Sequence, residues 1–103
     1  MIDRMMEKRG YEKTNENGHG VYYEKHEPQG YIHVVCVIKK SSGKHLMQSY
    51  DAQTFKANND YINSSAGVEI PVLLLMWLKA KQMARKYQWN KALKGRKHGT
   101  ADE

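Results

Sequence analysis

The chain has 103 residues, enough for one domain, and its formal net charge of +6 either favours contact with an acidic partner or serves solubility. A single cysteine excludes an intrachain disulfide and is typical of a reducing compartment, so we expect a cytoplasmic protein. The longest apolar run, Val72–Leu78, is too short to cross a bilayer, and the N-terminal residues are not typical of a signal peptide, so we expect no membrane association.

The N-terminal half is predicted to form a short helix followed by antiparallel strands. Ile2, Met5 and Met6 recur at helical spacing before Gly10, which predicts the helix. Turn-forming clusters then separate stretches rich in β-branched and aromatic residues, and Asn17-Gly18 is the strongest hairpin signal among them. The predicted helix is 2–9, the strands are 11–15, 21–26, 31–40 and 45–51, and the turn clusters are 15–20, 27–30 and 41–44.

A long amphipathic helix is predicted at the C-terminal end of the domain. A polar connection, 52–67, precedes it and has room for a short edge strand. The helix is expected to run from Pro71, since proline is tolerated in a first turn, to about Trp89. The sequence thus predicts an α+β domain over residues 1–90, a meander of three to four strands packed against this helix, followed by a basic, disordered tail at 91–103.

Strand alternation assigns the predicted sheet two different faces, if the turns close with simple registers. The face predicted to meet the helix is almost wholly apolar, and it makes the lone cysteine a buried thiol; it comprises Ile32, Val34, Cys36, Ile38, Val21, Tyr23, Met47 and Ser49. The opposite face is rich in tyrosine and histidine; it comprises Tyr31, His33, Val35, Val37, Lys39, Tyr22, Glu24, His26, Leu46, Gln48 and Tyr50. This second face is either an ordinary solvent-facing surface with cross-strand aromatic pairs or a binding surface. A register slip of one residue would exchange the two assignments.

The C-terminal helix has more apolar residues than one stripe needs. A helical wheel places one group toward the sheet: Val72, Leu73, Met76, Trp77, Ala80, Met83, Ala84 and Tyr87. It places Leu74, Leu75, Leu78 and Trp89 on the outer side. Apolar residues left in water usually indicate a partner, so either the first helix covers this outer side or another chain does, as a homodimer or a foreign protein.

The sequence also allows a zinc site and a nucleic-acid-binding surface. Glu24, His26 and His33 could converge as a zinc site if Glu24 and His33 are cross-strand neighbours, although no tight metal-binding spacing is present. The basic residues could bind nucleic acid nonspecifically through phosphates. The candidates for that role are Lys81, Arg85, Lys86, Lys91, Lys94, Arg96 and Lys97. No phosphate-binding loop, activated nucleophile or carboxylate pair is recognisable, so we expect neither an enzyme nor a cofactor.

The layout of the chain resembles that of small proteins carried by phages and prophages of Gram-positive bacteria. The resemblance rests on Arg9-Gly10-Tyr11, Tyr23-Glu24-Lys25, Tyr31-Ile32-His33-Val34 and a helix from Leu73 into Tyr87-Gln88-Trp89. The last motif departs from the family pattern, which ends in Leu-Gly-Trp. The resemblance implies a role in phage–host conflict or phage regulation, because small inhibitors of host defence, including anti-CRISPR proteins, come from this group and act by binding.

The leading functional hypothesis is therefore an accessory protein that binds another protein, such as a host defence nuclease. Its candidate residues combine the tyrosine-rich sheet face with the outer side of the helix. They are Tyr22, Tyr31, His33, Tyr50, Leu74, Leu75 and Leu78. Nonspecific nucleic-acid binding and a small zinc-binding protein are the alternatives.

Overall fold

The computed structural model describes residues 1–55 and 60–89 as two helices and five strands. These elements are α1 (Ile2–Lys8), β1 (Glu12–Asn17), β2 (Gly20–His26), β3 (Ile32–Lys39), β4 (His45–Phe55), β5 (Asp60–Ser65) and α2 (Ile70–Lys86). The strands form one antiparallel sheet in the order β1-β2-β3-β4-β5. The predicted α+β class is confirmed, and β5 extends the meander as its edge strand. The predicted tail, 91–103, lies outside the described residues.

The end of α1 is fixed by a Schellman motif centred on Gly10. The Tyr11 N–H donates to the Met6 carbonyl at 3.0 Å, and the Gly10 N–H donates to the Glu7 carbonyl at 2.9 Å. Gly10 has a φ of 93°, which a residue without a Cβ adopts at little cost. Met6 and Tyr11, the two side chains that this motif brings together, are both buried in the core. The capping motif therefore directs the chain from α1 straight into β1.

The β1–β2 hairpin is closed by a short turn after Asn17, as the Asn-Gly signal predicted. The Asn17 Oδ1 accepts a hydrogen bond from the His19 N–H at 2.8 Å. The next residue, Gly20, lies against β3, and a Cβ built there would come within 2.5 Å of the Val37 carbonyl oxygen. Only glycine lets the two strands approach this closely at the hairpin end.

The predicted faces of the sheet were right for β2 and β4 but wrong for β3. Tyr23 pairs with Val35, and Val37 pairs with Met47, so Val35 and Val37 face the helices. Cys36 lies on the open face, where the neighbouring strands bury it, and burial raises the pKa of its thiol. The reason is loop length: 27–31 and 40–44 are five-residue connections, one residue longer than the predicted turns, and each shifts the register by one.

The helical wheel was also wrong for several residues of α2. Leu75 is only 6% exposed and lies in the core, whereas Leu73 and Trp77 are exposed. Trp89 is buried too, and its Nε1 donates to the Gly18 carbonyl at 2.9 Å, which fastens the chain after α2 to the β1–β2 turn. The α2 residues that reach the core are Val72, Leu75, Met76, Met83 and Ala84. Within the described residues, neither helix has the length and apolar character needed to cross a bilayer.

A buried ammonium explains why α2 has this orientation. Lys79 is 4% exposed. Its Nζ lies 3.2 Å from the Asp3 Oδ1 on α1 and 3.3 Å from the Glu16 Oε1 on β1, and it donates to the Gln82 Oε1 at 2.9 Å. A charge removed from water has to be paired and hydrogen-bonded, so this contact turns one face of α2 toward α1 and β1.

The two carboxylates of this network have lowered pKa values. Burial alone would raise the pKa of Asp3, but hydrogen bonds from Lys13, Tyr23 and Lys79 outweigh it and lower the pKa to about 2. For Glu16, the hydrogen bond from Lys86 is the largest cause, and it lowers the pKa well below the usual range. Both groups therefore stay ionised at neutral pH and hold the cation between them.

We expect Lys79→Met to destabilise the fold by about 3 kcal/mol, because Asp3 and Glu16 would lose a buried partner. The urea midpoint at pH 7 measures this loss. Lys86→Met is the matched control, since Lys86 also binds Glu16, at 2.7 Å, but is exposed, and its loss should be much smaller. Equal losses in the two variants would contradict a structural role for the buried ammonium.

Stability should also fall in acid because the folded chain lowers the pKa of both carboxylates. Their contribution is complete above the ordinary Glu pKa of 4.5 and is lost as the pH falls toward the Asp3 value of about 2. We expect the urea midpoint to be constant between about pH 5 and about pH 7 and to fall steeply below that range. Glu16→Gln should be less stable at pH 7 and show a shallower fall; an unchanged slope would contradict the assignment.

Candidate partner-binding groove

The outward face of α2 carries a stripe of large apolar side chains that are 44–69% exposed. Trp77 is 57% exposed and Leu74 is 54% exposed, although each is a large apolar side chain. The stripe, which we call the outer stripe, comprises Ile70, Leu73, Leu74, Trp77 and Leu78. The spacing of i, i+3, i+4, i+7 and i+8 places these side chains on one side of the helix. α2 therefore has two apolar stripes, and only one of them belongs to the core.

A groove runs between α2 and the start of β4, along one flank of the outer stripe. At its apolar end, Leu73, Trp77 and Ala80 lie across a space of about 250 Å³ from Val37 and Met47. Small-molecule pockets usually enclose about 300–1,000 Å³ and bury most of their ligand. The apolar end is smaller and open, so it suits side chains from a partner better than a cofactor.

The other end of the groove is basic. Trp77, Ala80 and His45 continue into it, and Lys81 and Arg85 join them there. The Lys81 Nζ lies 4.5 Å from the centre of the Trp77 ring, a cation–π contact at the boundary between the two ends. The His45 ring packs against the buried Trp89, with ring centres 4.8 Å apart. Over the described residues, no carboxylate lines either end of the groove.

The structure separates the predicted tyrosine-rich face into two places. Tyr22 and Tyr50 lie half-buried on the open face of the sheet, opposite Cys36 and Val34 of β3. Tyr31 borders a polar depression on the helix side, together with the buried His33. The prediction that these four side chains form one surface was therefore wrong, because it depended on the β3 register.

The proposed zinc ligands do not converge. His33 pairs with Lys25 rather than Glu24 across the strands, so Glu24 and His33 lie on opposite faces of the sheet. The His33 Nδ1 instead lies 2.8 Å from the Asp51 Oδ1. His26, like Glu24, belongs to the open side of β2. Among the residues that the structure describes, no three His, Cys, Asp or Glu side chains could hold a metal ion.

The candidate nucleic-acid residues are also divided. Lys81 and Arg85 lie at the basic end of the groove, but Lys86 is engaged by Glu16 at 2.7 Å. The remaining candidates, Lys91, Lys94, Arg96 and Lys97, lie outside the described residues. Of the candidates that the structure describes, two neighbouring cations thus lie beside an apolar groove and the third is paired with a carboxylate.

Of the predicted helix surplus, Leu74 and Leu78 are exposed as expected, but Leu75 is not. Sequence reasoning missed Ile70, Leu73 and Trp77 as surface residues because the wheel assigned the last two to the core. The sequence nevertheless contained a signal for this stripe, since Ile70, Leu73 and Trp77 continue the i, i+3, i+4 spacing of Leu74 and Leu78. Nothing in the sequence indicated that the start of β4 would form the second wall of a groove.

No protein-family model, curated protein or solved structure matches this chain. The candidate site therefore rests on the geometry of the described residues alone.

Adjacent leucines provide a test of the two-stripe assignment. Leu75→Ala should destabilise the fold by about 2–5 kcal/mol, because it leaves a cavity in the core. Leu74→Ala should change stability by no more than about 0.5 kcal/mol, because the side chain is exposed. Urea unfolding of the two variants measures both effects, and each variant serves as the other's control. A large loss in Leu74→Ala would mean that the outer stripe belongs to the fold.

Proposed function

We propose that this protein acts by binding another protein through the outer stripe of α2 and the groove beside it, without catalysing a reaction. The observation that carries the proposal is the exposure of Trp77, at 57%, in the middle of five apolar side chains on one helix face. Contiguous exposed apolar surface is costly in water and usually marks an interface. Tryptophan is also the residue type most enriched among the dominant contacts of protein interfaces.

The environment of Trp77 fits a central contact. Leu73 and Leu74 precede it by one helical turn, Leu78 follows it, and Lys81 lies over its ring. An apolar centre with charged groups at its edge is the usual anatomy of an interface. The helix itself is held by the buried Lys79 network, so little conformational entropy would be lost when a partner binds.

The resemblance to small phage proteins extends this proposal to a class of partner. It suggests that the protein works in the cytoplasm of a bacterial host and that its partner is a host protein, such as a defence nuclease, which it inhibits by occupying a surface. This extension depends on the motifs around Gly10, Tyr23 and Tyr31, not on the groove.

Affinity capture from a bacterial lysate tests the binding function. The tagged full chain should retain a partner in comparable molar amount, and Leu73→Ser with Trp77→Ser should lose it. Truncation of a central tryptophan costs at least about 2 kcal/mol in many interfaces, which is roughly a 30-fold loss of affinity.

The matched control is the double variant Tyr22→Ser and Tyr50→Ser, which removes two large side chains from the open sheet face. It should retain the partner. Loss of the partner from the control, with retention by the α2 variant, would move the binding surface to the sheet and contradict the proposal. Thermal unfolding followed by circular dichroism verifies that both variants are folded.

A further inference from the structure

We infer that the groove beside α2 receives an amphipathic helix of a partner protein, antiparallel to α2, with acidic residues in its first turn. The inference rests on the proposed function and specifies the partner's chemistry. Three features of the described residues support it: the coverage of the sheet, the charges lining the groove and the direction of α2.

The sheet has room for another helix on the side of α2 that the groove occupies. Five strands at about 4.8 Å spacing span about 19 Å, whereas packed helices lie about 8–10 Å apart. α1 lies over β1 and α2 lies mainly over β3. In the described part of the chain, no helix lies beyond α2 over the start of β4, where Met47 is only partly buried; the connection before α2 meets β4 farther along, where the Ala66 N–H donates to the Ser49 carbonyl at 3.1 Å. A helix placed there would continue the same layer.

The two ends of the groove favour different side chains from a partner, apolar at one end and acidic at the other. Leu73, Met76 and Met47 line one end, which suits apolar side chains. Lys81 and Arg85 line the other, and within residues 1–55 and 60–89 neither has an acidic partner, whereas Lys13, Lys79 and Lys86 all do. Carboxylates from a partner would complement these cations, and the net charge of +6 would favour the approach of an acidic chain.

The direction of the partner helix follows from the direction of α2. Lys81 and Arg85 lie near the C-terminal end of α2, where the helix macrodipole is negative. An antiparallel partner would bring its positive N-terminal end there, and acidic side chains are favoured in a first turn. Leu73 and Arg85 are about 18 Å apart along α2, so a partner helix of about 14 residues spans both ends.

Two other occupants compete for the groove, and charge argues against both. A second copy of the chain would also carry a net charge of +6, which opposes close approach. The chain's own 90–103 segment carries Asp102 and Glu103, but Lys91, Lys94, Arg96 and Lys97 outnumber them, so its net charge repeats the sign of Lys81 and Arg85.

The test uses labelled peptides of about 14 residues, sized to the groove, and the full chain. The first has paired Glu residues in its first turn, Leu along one helical face, and Ala and Gln elsewhere. The second has the same residues in reversed order, so that composition and net charge are identical. Fluorescence anisotropy should show that the first binds at least about 10-fold more tightly than the second, and that added salt reduces this preference.

The double variant Lys81→Glu and Arg85→Glu should lose the preference, while Arg4→Glu with Lys8→Glu, an exposed pair with the same i, i+4 spacing on α1, should keep it. Equal affinity for the two peptides, binding of neither, or a preference that survives in the groove variant would overturn the inference. A dimer of the unmodified chain in analytical ultracentrifugation that Trp77→Ser dissociates would assign the surface to a second copy and overturn it as well.

The capture experiment separates failure of this inference from failure of the proposed function. If neither peptide binds, yet the variant with Leu73→Ser and Trp77→Ser still loses its captured partner, the partner's chemistry is wrong but the binding surface stands. If the captured partner is also unaffected, the proposed function fails.

Discussion

A buried ammonium group decides which side of α2 faces the protein and which faces solvent. Lys79 has to lie between Asp3 and Glu16 because its charge is removed from water, so the rotation of α2 about its axis is fixed. Leu75, one turn before Lys79, is then buried, and Trp77, on the opposite side, is exposed. The outer stripe and its groove are thus consequences of an ionic contact on the far side of the helix. The same contact ties α1, β1 and α2 together, although they are distant in sequence.

The helical wheel failed because it was built from apolar residues alone and gave Lys79 no place in the core. A lysine is rarely buried, so apolar periodicity gives no reason to turn Lys79 inward. The wheel therefore placed Leu73 and Trp77 inward and Leu75 outward, the reverse of what the structure has. The sequence could predict that α2 has two apolar stripes, but the choice between them depends on carboxylates of two other elements. The proximity of those carboxylates to Lys79 depends on the tertiary fold, so the periodicity of α2 cannot predict it.

The sheet also has a feature that the sequence pattern could not predict, namely which residues of β3 face the helices. The strands themselves were predictable from their β-branched residues and turn signals, because those are local. The faces of β3 were not, since Val34, Val35, Cys36 and Val37 are apolar on both sides and alternation alone cannot choose between them. The choice was made by two connections, each one residue longer than the predicted turn, so both pairings of β3 shifted by one residue. The β2 and β4 faces were nevertheless correct, because they were assigned through their pairing with β3, and the reversed β3 face and the one-residue register error cancel.

The two ends of the groove would contribute differently to recognition. In the proposed interface, the apolar centre around Trp77 would supply most of the affinity, because desolvated aromatic surface dominates interfaces, whereas exposed cations such as Lys81 and Arg85 would contribute less. Those cations instead discriminate between two directions of one helix, since the wrong direction leaves them beside apolar side chains. Removing Trp77 should therefore weaken every partner, whereas reversing the two charges should change which partner is preferred. This division requires a rigid α2, and the Lys79 network is the contact that provides it.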